Sequence, residues 1–236
     1  MRIVSLVPSM TETLLAWGIV PSACTRFCEQ PTIAHVGGTK DPDIAAIVTM
    51  APDLVIVDAE ENRRQDHDAL VAAGLDVHVL RIRSIADVAE QLVLLAARLG
   101  VVWSLPARRL DLAAASSSRW SAATSIQQPI AFVPIWKRPW MALGTPTYGS
   151  SLLAELGIAN AVDGLGAYPE VTLEQASELG TTMVIAPSEP YPFTERHRGV
   201  LEAVAPTYFI DGRDLLWWGA RTGPALQRLA IVLRHG

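Results

Sequence analysis

The stretch Asp43–Glu60, DIAAIVTMAPDLVIVDAE, can be laid on the stretch Thr172–Glu189, TLEQASELGTTMVIAPSE, at a constant offset of 129. Asp43 falls on Thr172, Ile44 on Leu173, Leu54-Val55-Ile56 on Met183-Val184-Ile185, and Glu60 on Glu189. Thr172 and Gln175 have the spacing of a capping box. The apolar runs are continuous, as in strands buried on both faces of a parallel sheet. A helix followed by such a strand, met twice at one offset, predicts two α/β lobes of related design.

The flanks extend the pattern. Ile3–Val7 reads as a buried strand ended by Pro8. Ser9 and Glu12 then have capping-box spacing and open a helix over Leu14 and Leu15 to Gly18. Asp41-Pro42 reads as a helix start, with the helix over Ile44 and Ile47 stopping before Pro52. A polar segment from Asp58 to Arg64 leads into a helix over Leu70 and Val71, closed by Gly74, and Val77–Leu80 is the next strand. In the second half Ile130–Pro134 repeats the first strand. The helix over Leu152 and Leu153 ends in Gly157-Ile158, as the first ends in Gly18-Ile19. Between the halves, Ile85, Val88, Leu92, Leu95 and Leu99 recur at helical spacing, and a second helical piece is expected from about Pro106 to Trp120. The fold expected is α/β, two Rossmann-like lobes joined by a long backbone helix, with a ligand cleft between the lobes. The divisions are 1–83, 84–128 and 129–236.

Composition excludes several function classes. Half the residues are hydrophobic and 18% are charged, so the chain can bury a core and has no disordered character. The net charge is -5 and no Lys/Arg cluster tracks a phosphate backbone, which argues against nucleic acid. No apolar run reaches membrane-spanning length. The strand begins directly after Met1-Arg2, from which a cytoplasmic location is expected. Cys24 and Cys28 form no disulfide framework and lack the spacing of a zinc knuckle.

Ligands in open α/β sheets sit at the carboxyl ends of the strands. The loops there carry Pro8; Asp58, Glu60 and Arg63; Trp140 and Tyr148; and Glu189, Tyr191 and Phe193. Four of the seven tryptophans stand at 136, 140, 217 and 218. Trp217 is a cleft candidate, while Trp136 is read equally well as core. His197, and more weakly His35, are candidate metal ligands. No nucleophile elbow, zinc-protease helix, phosphate loop or dinucleotide fingerprint occurs. An enzyme would have to use Glu60 with Glu189, or Cys28, and a protein-interaction module would use an exposed Trp217 or Trp218.

The segments VSLVPSMTETL at 4–14, VGGTKDPD at 36–43, PDLVI at 52–56, EENR at 60–63, PWM at 139–141, YPEVT at 168–172 and PSEPYPF at 187–193 resemble the helical-backbone metal receptors. These are the class III periplasmic-binding-protein-like solute-binding proteins for vitamin B12, haem and iron-siderophores. The resemblance spans almost the whole chain. It implies two lobes on a rigid backbone helix, with cobalamin, haem or an iron chelate as ligand and no catalytic cofactor. It implies ligand-binding places at Pro8, Phe27 and Tyr168, with Cys28 beside Phe27. Thr39 and Asp58 fall where tryptophans are expected of a corrin site. Importer docking in the family uses one glutamate per lobe. Glu174 matches the second, but the first falls on Ala45, so docking to an ABC importer is doubtful on this reading and a leaderless cytoplasmic relative is expected.

Overall fold

The structure, a computed structural model, describes residues 1–102 and 128–233. The chain divides into two compact units. The first comprises Met1–Ile82, the described part of Ala86–Ser104, and Trp218–Arg221. The second comprises Arg83–Ile85 and the described parts of Leu105–Trp217 and Thr222–Gly236.

The first unit holds β1 (Ile3–Ser5), α1 (Pro8–Ala16), β2 (Ala23–Cys24), β3 (Ala34–His35), α2 (Ile44–Met50), β4 (Leu54–Asp58), α3 (Arg64–Ala72) and β5 (Val77–Leu80). The strands form one parallel sheet in the order β3-β2-β1-β4-β5. Both β1 and β4 are buried at every residue, which is why their sequences are apolar without alternation. Val4, Leu6, Val55, Val57, Ile47 and Leu70 make the core of this unit.

Two helix starts differ from expectation. Val7 is the N-cap of α1, with Pro8 in its first turn, and no side chain caps it. Glu12 is drawn away by Arg221, whose Nε and Nη2 donate to its carboxylate at 2.9 and 2.7 Å. Ser9 is buried, its hydroxyl without a partner among the described residues. The second helix starts at Asp43, not Asp41: the Asp43 carboxylate accepts from Ala46 N–H at 2.9 Å, while Asp41 pairs with Arg26. A tertiary ion pair took the acidic residue from the helix start in each case.

The chain then enters α4 (Ile85–Arg98), whose Val88, Leu92 and Leu95 are fully buried. The second helical piece expected near Pro106–Trp120 lies outside the described residues.

The second unit holds β6 (Ile130–Phe132), β7 (Pro134–Lys137), β8 (Trp140–Ala142), α5 (Tyr148–Glu155), β9 (Ala159–Asn160), α6 (Leu173–Glu178), β10 (Met183–Pro187), α7 (Arg198–Leu201), β11 (Thr207–Ile210), α8 (Gly212–Leu216) and α9 (Thr222–Val232). Its parallel sheet has the order β11-β10-β6-β9, and β7 and β8 form a separate antiparallel pair. Thr172 and Gln175 make the capping box the spacing predicted. Phe132, Val162, Val184, Phe193 and Leu201 centre the core. The fold is therefore α/β, two Rossmann-like lobes with a long helix between them in the chain.

The offset of 129 survives in three dimensions. It carries β4 onto β10 and the N-cap Asp43 onto the N-cap Thr172. The order β5-β4-β1-β2 recurs as β11-β10-β6-β9, the first sheet having β3 in addition.

Candidate functional site

In the first unit the carboxyl ends of β1 and β4 meet a polar network. Asp58 closes β4 and is 1% exposed. Its Oδ1 accepts from the N–H groups of Glu60 and Glu61 at 2.8 and 3.3 Å, and its Oδ2 from Ile82 N–H at 3.4 Å. Burial pushes its carboxyl up to about 6; those N–H groups act in the opposite direction without cancelling it. Asn62, which sequence reasoning missed, fastens the network. Its Oδ1 accepts from Asp58 N–H at 2.8 Å, and its Nδ2 donates to the carbonyls of Leu6 and Thr39 at 3.1 and 2.9 Å. One side chain thus ties the segments after β1, β3 and β4.

Asp58, Asn62 and Arg63 line a cavity of about 320 Å³, with His67 and Arg81 on its wall. Arg63 reaches Asp66 through two hydrogen bonds of 2.8 and 3.1 Å. Glu60 is half-buried, and its carbonyl accepts from Lys40 Nζ at 2.9 Å. Pro8 is buried in the first turn of α1. Phe27 and Cys28 sit on the turn after β2. Phe27 is 51% exposed beneath the Arg26 guanidinium, 4.7 Å from the ring centre, while Cys28 is buried. His35 is exposed, its Nε2 3.1 Å from the Gln30 carbonyl.

The second unit has an aromatic face at the corresponding place. The β7–β8 pair brings Trp136 and Trp140; the loop after β10 brings Tyr191 and Phe193. Trp140 stacks on Phe193 with planes 6° apart and centroids at 6.1 Å, and Trp136 meets Tyr191 edge-on at 5.6 Å. Tyr191 and Phe193 are 4.7 Å apart. Lys137 Nζ lies 5.9 Å from the Trp140 ring. Phe193 and His197 are buried, Trp140 and Tyr191 half-buried, and Trp136 is 44% exposed. Trp136 is thus the most open ring of this face, following the buried Pro134 and Ile135 along β7.

His197 packs edge-on against Tyr191 and Phe193, and its Nδ1 accepts from Thr194 N–H at 3.1 Å. Burial, then the charges of Lys137 and Arg196, hold its pKa below the ordinary histidine value. A neutral ring accepting at Nδ1 carries its proton on Nε2, which leaves no free lone pair for a metal. Among the described residues no three His, Cys, Asp or Glu side chains form a metal-holding group.

The remaining candidates are separate. Tyr148 is buried in the first turn of α5, its hydroxyl 3.0 Å from Thr222 Oγ1. Tyr168 is 45% exposed, in a loop joined to β8 through Pro169 and Ala142. Glu189 packs against Gly212, where any side chain would run into the Glu189 backbone at 2.7 Å. Trp217 is half-buried just after α8, not in a strand, and Trp218 is buried.

Residues 3–196 match the family of periplasmic binding proteins. The chain belongs to this family. A vitamin B12-binding protein of Salmonella choleraesuis (strain SC-B67) is 26% identical over 184 residues, covering 74% of this chain and 67% of that protein. Among solved structures, the periplasmic vitamin B12 binding protein BtuF of Vibrio cholerae superposes with a TM-score of 0.76 at 19% identity, covering 99% of this chain and 96% of that one. The periplasmic heme-binding protein RhuT from Roseiflexus sp. RS-1 gives 0.76 at 20%, covering 98% and 97%. The siderophore-binding protein FhuD from Vibrio cholerae gives 0.72 at 15%, covering 99% and 96%. At these identities the structures establish a shared fold.

The family corrects the expected cytoplasmic location, since its members and the structural relatives named here as periplasmic work outside the cytoplasm. The match begins at Ile3, and address signals precede a mature domain, so the opening residues carried no information on location. No helix among the described residues is long and apolar enough to cross a membrane.

Proposed function

We propose that this periplasmic binding protein holds a metal-containing small molecule, a corrinoid, haem or ferric siderophore, and releases it unchanged. The observation that carries the reading is the aromatic face of Trp136, Trp140 and Tyr191 at the carboxyl end of the second sheet. Aromatic rings offer large rigid contact area at small entropic cost, which suits a flat, partly polar macrocycle. Relatives that bind vitamin B12, haem and a ferric siderophore support the same class.

The candidate contacts divide by unit: Pro8, Phe27, Cys28, Asp58, Glu60 and Arg63 in the first, the aromatic face with Tyr148, Tyr168, Glu189 and Trp217 in the second. Direct ring contact is assigned to Trp136, Trp140, Tyr191 and the exposed Phe27 and Tyr168. Cys28 and Tyr148, both buried, shape the walls behind them. Arg63 and Lys137 supply positive charge suited to propionate, phosphate or carboxylate groups of such ligands.

Docking is a separate proposal. Ala45 and Glu174 hold the same second position of α2 and α6, both exposed, one without charge and one with. Docking on an importer through one carboxylate from each lobe is therefore not the mode assigned to this chain.

The test is a titration of the purified protein with hydroxocobalamin, cyanocobalamin, haemin and a ferric siderophore, followed by visible spectra. Saturable binding of one of them at one equivalent, with the ligand recovered chemically intact, is the expected result. Absence of binding by all four, or conversion of the bound compound, contradicts the proposal.

A further inference from the structure

The two cysteines have no part in the aromatic face, yet the structure brings them together. Cys24 ends β2 and is fully buried; Cys28 ends the short turn Arg26–Cys28 and is 3% exposed. Cys28 N–H donates to the Thr25 carbonyl at 3.1 Å, so the chain doubles back and carries residue 28 toward residue 24. Both cysteines and Ile33 form one buried apolar cluster, with Leu15 packed against it. The polar neighbours are hydroxyls: Thr11 Oγ1 and Thr25 Oγ1 lie 3.3 and 3.2 Å from Cys28 Sγ. Thr11 in turn donates to Ser5 Oγ at 2.9 Å.

We propose that Cys24 and Cys28 are a buried dithiol that closes to an intramolecular disulfide by exchange with an external disulfide, fixing the turn that carries Phe27. A soft-metal site is the competing use of paired thiols. It lacks its ligands, because no third Cys, His, Asp or Glu joins the pair among the described residues. A disulfide needs none. It is apolar and uncharged, so it suits a dry cluster where a thiolate does not. Burial, the charge of Cys28 and the hydrogen bond to it push the Cys24 thiol up to about 12, and closing the bond removes that group from titration. The setting agrees, since disulfides form and persist outside the cytoplasm, where this family works.

In the exchange the Cys28 thiolate attacks a disulfide RS–SR, forming the Cys28–SR bond and releasing one RS⁻. Cys24 loses its proton to solvent and attacks Cys28 Sγ, forming the Cys24–Cys28 bond and releasing the second RS⁻. The two protein thiols lose two electrons and two protons, and RS–SR is reduced to two thiols. Burial hides both sulfurs from a solvent-borne disulfide and makes the Cys24 thiolate scarce, so the exchange runs on the slow end of the minutes-to-hours range of uncatalysed disulfide chemistry.

The turn has one tether already: Arg26 lies over Phe27 and its Nη2 reaches both Asp41 oxygens at 3.0 Å. A Cys24–Cys28 bond pins the other side of Phe27.

The experiment incubates the full chain, fully reduced and then freed of reductant, with excess oxidised glutathione under native conditions. The protein is acid-quenched and alkylated in denaturant, and intact and peptide masses are read. The expected product is lighter than reduced protein by two hydrogens, has neither cysteine alkylated, and gives one peptide with an internal bond between residues 24 and 28. Cys24→Ser is expected to stop at a single glutathione on Cys28. A wild-type chain that keeps two alkylatable thiols overnight, or that carries stable glutathione adducts, overturns the proposal. The wild-type measurement stands even where the variant does not fold.

Discussion

The two sheets share a strand order, β5-β4-β1-β2 in one and β11-β10-β6-β9 in the other, and differ in what stands at their carboxyl ends. After β1 the chain turns at once into α1, with Val7 as N-cap. After β6 the antiparallel β7–β8 pair intervenes before α5 and carries two tryptophans. After β4 comes a buried carboxylate held by backbone N–H groups and Asn62; after β10 come Tyr191 and Phe193. A scaffold used twice in one chain thus presents a polar end in one unit and an aromatic end in the other. The sheets fix where a ligand contact can stand, and the insertions decide its chemistry.

The comparison can be broken most forcefully at Phe193. It is 3% exposed and touches Trp140, Tyr191 and His197, so it is the floor of the aromatic end. Phe193→Ala is expected to cost roughly 3–5 kcal/mol of stability by chemical denaturation. A loss under about 1 kcal/mol would show that the aromatic end is not a packed unit.

Asp58 tests the polar end through pH. Its folded pKa is raised to about 6, above an unfolded value of about 3.9. The stability tied to its neutral form is fully present below the unfolded value and is lost as pH rises through the folded one. That loss reaches up to roughly 3 kcal/mol above pH 6. Asp58→Asn carries no such titration. Its stability relative to wild type should therefore improve between about pH 4 and pH 7, whatever fixed cost the amide imposes on the N–H contacts. A stability difference that stays flat over that range would contradict the assigned burial.

Asn62 is the next largest effect. Removing its side chain leaves Asp58 N–H and two carbonyls without their partner, and Asn62→Ala should cost about 2 kcal/mol. The smallest is Tyr148→Phe, which deletes the 3.0 Å bond to Thr222 inside the second unit. A stability loss of about 1 kcal/mol with ligand affinity unchanged is expected. A tenfold loss of affinity would move Tyr148 from the wall to the contact surface.

Much of the scaffold was legible because it rests on local pattern. The paired runs at Leu54 and Met183 are buried strands, and the capping box at Thr172 formed as its spacing required. Where an acidic residue had a distant partner, local pattern failed. Glu12 lies 209 positions from Arg221 in sequence, and Asp41 is held by Arg26. Asn62 was invisible for a related reason, since two of its partners are backbone carbonyls 56 and 23 positions away. The face of Trp136 depended on β7 being a strand of its own, whereas Ile130–Pro134 reads as one continuous strand in sequence. The location expected from the opening residues failed because targeting is not a property of the fold.

The central claim is that the aromatic end of the second unit makes the principal ligand contact. The direct measurement is a tryptophan-quenching titration of wild type, Trp136→Ala and Arg63→Ala with whichever of the cobalamins, haemin or ferric siderophore saturates. The account predicts a loss of affinity of about tenfold or more for Trp136→Ala, about 1.4 kcal/mol, and a smaller loss for Arg63→Ala. Equal affinity of Trp136→Ala and wild type, with binding abolished in Arg63→Ala, would contradict it and place the principal contact at the polar end.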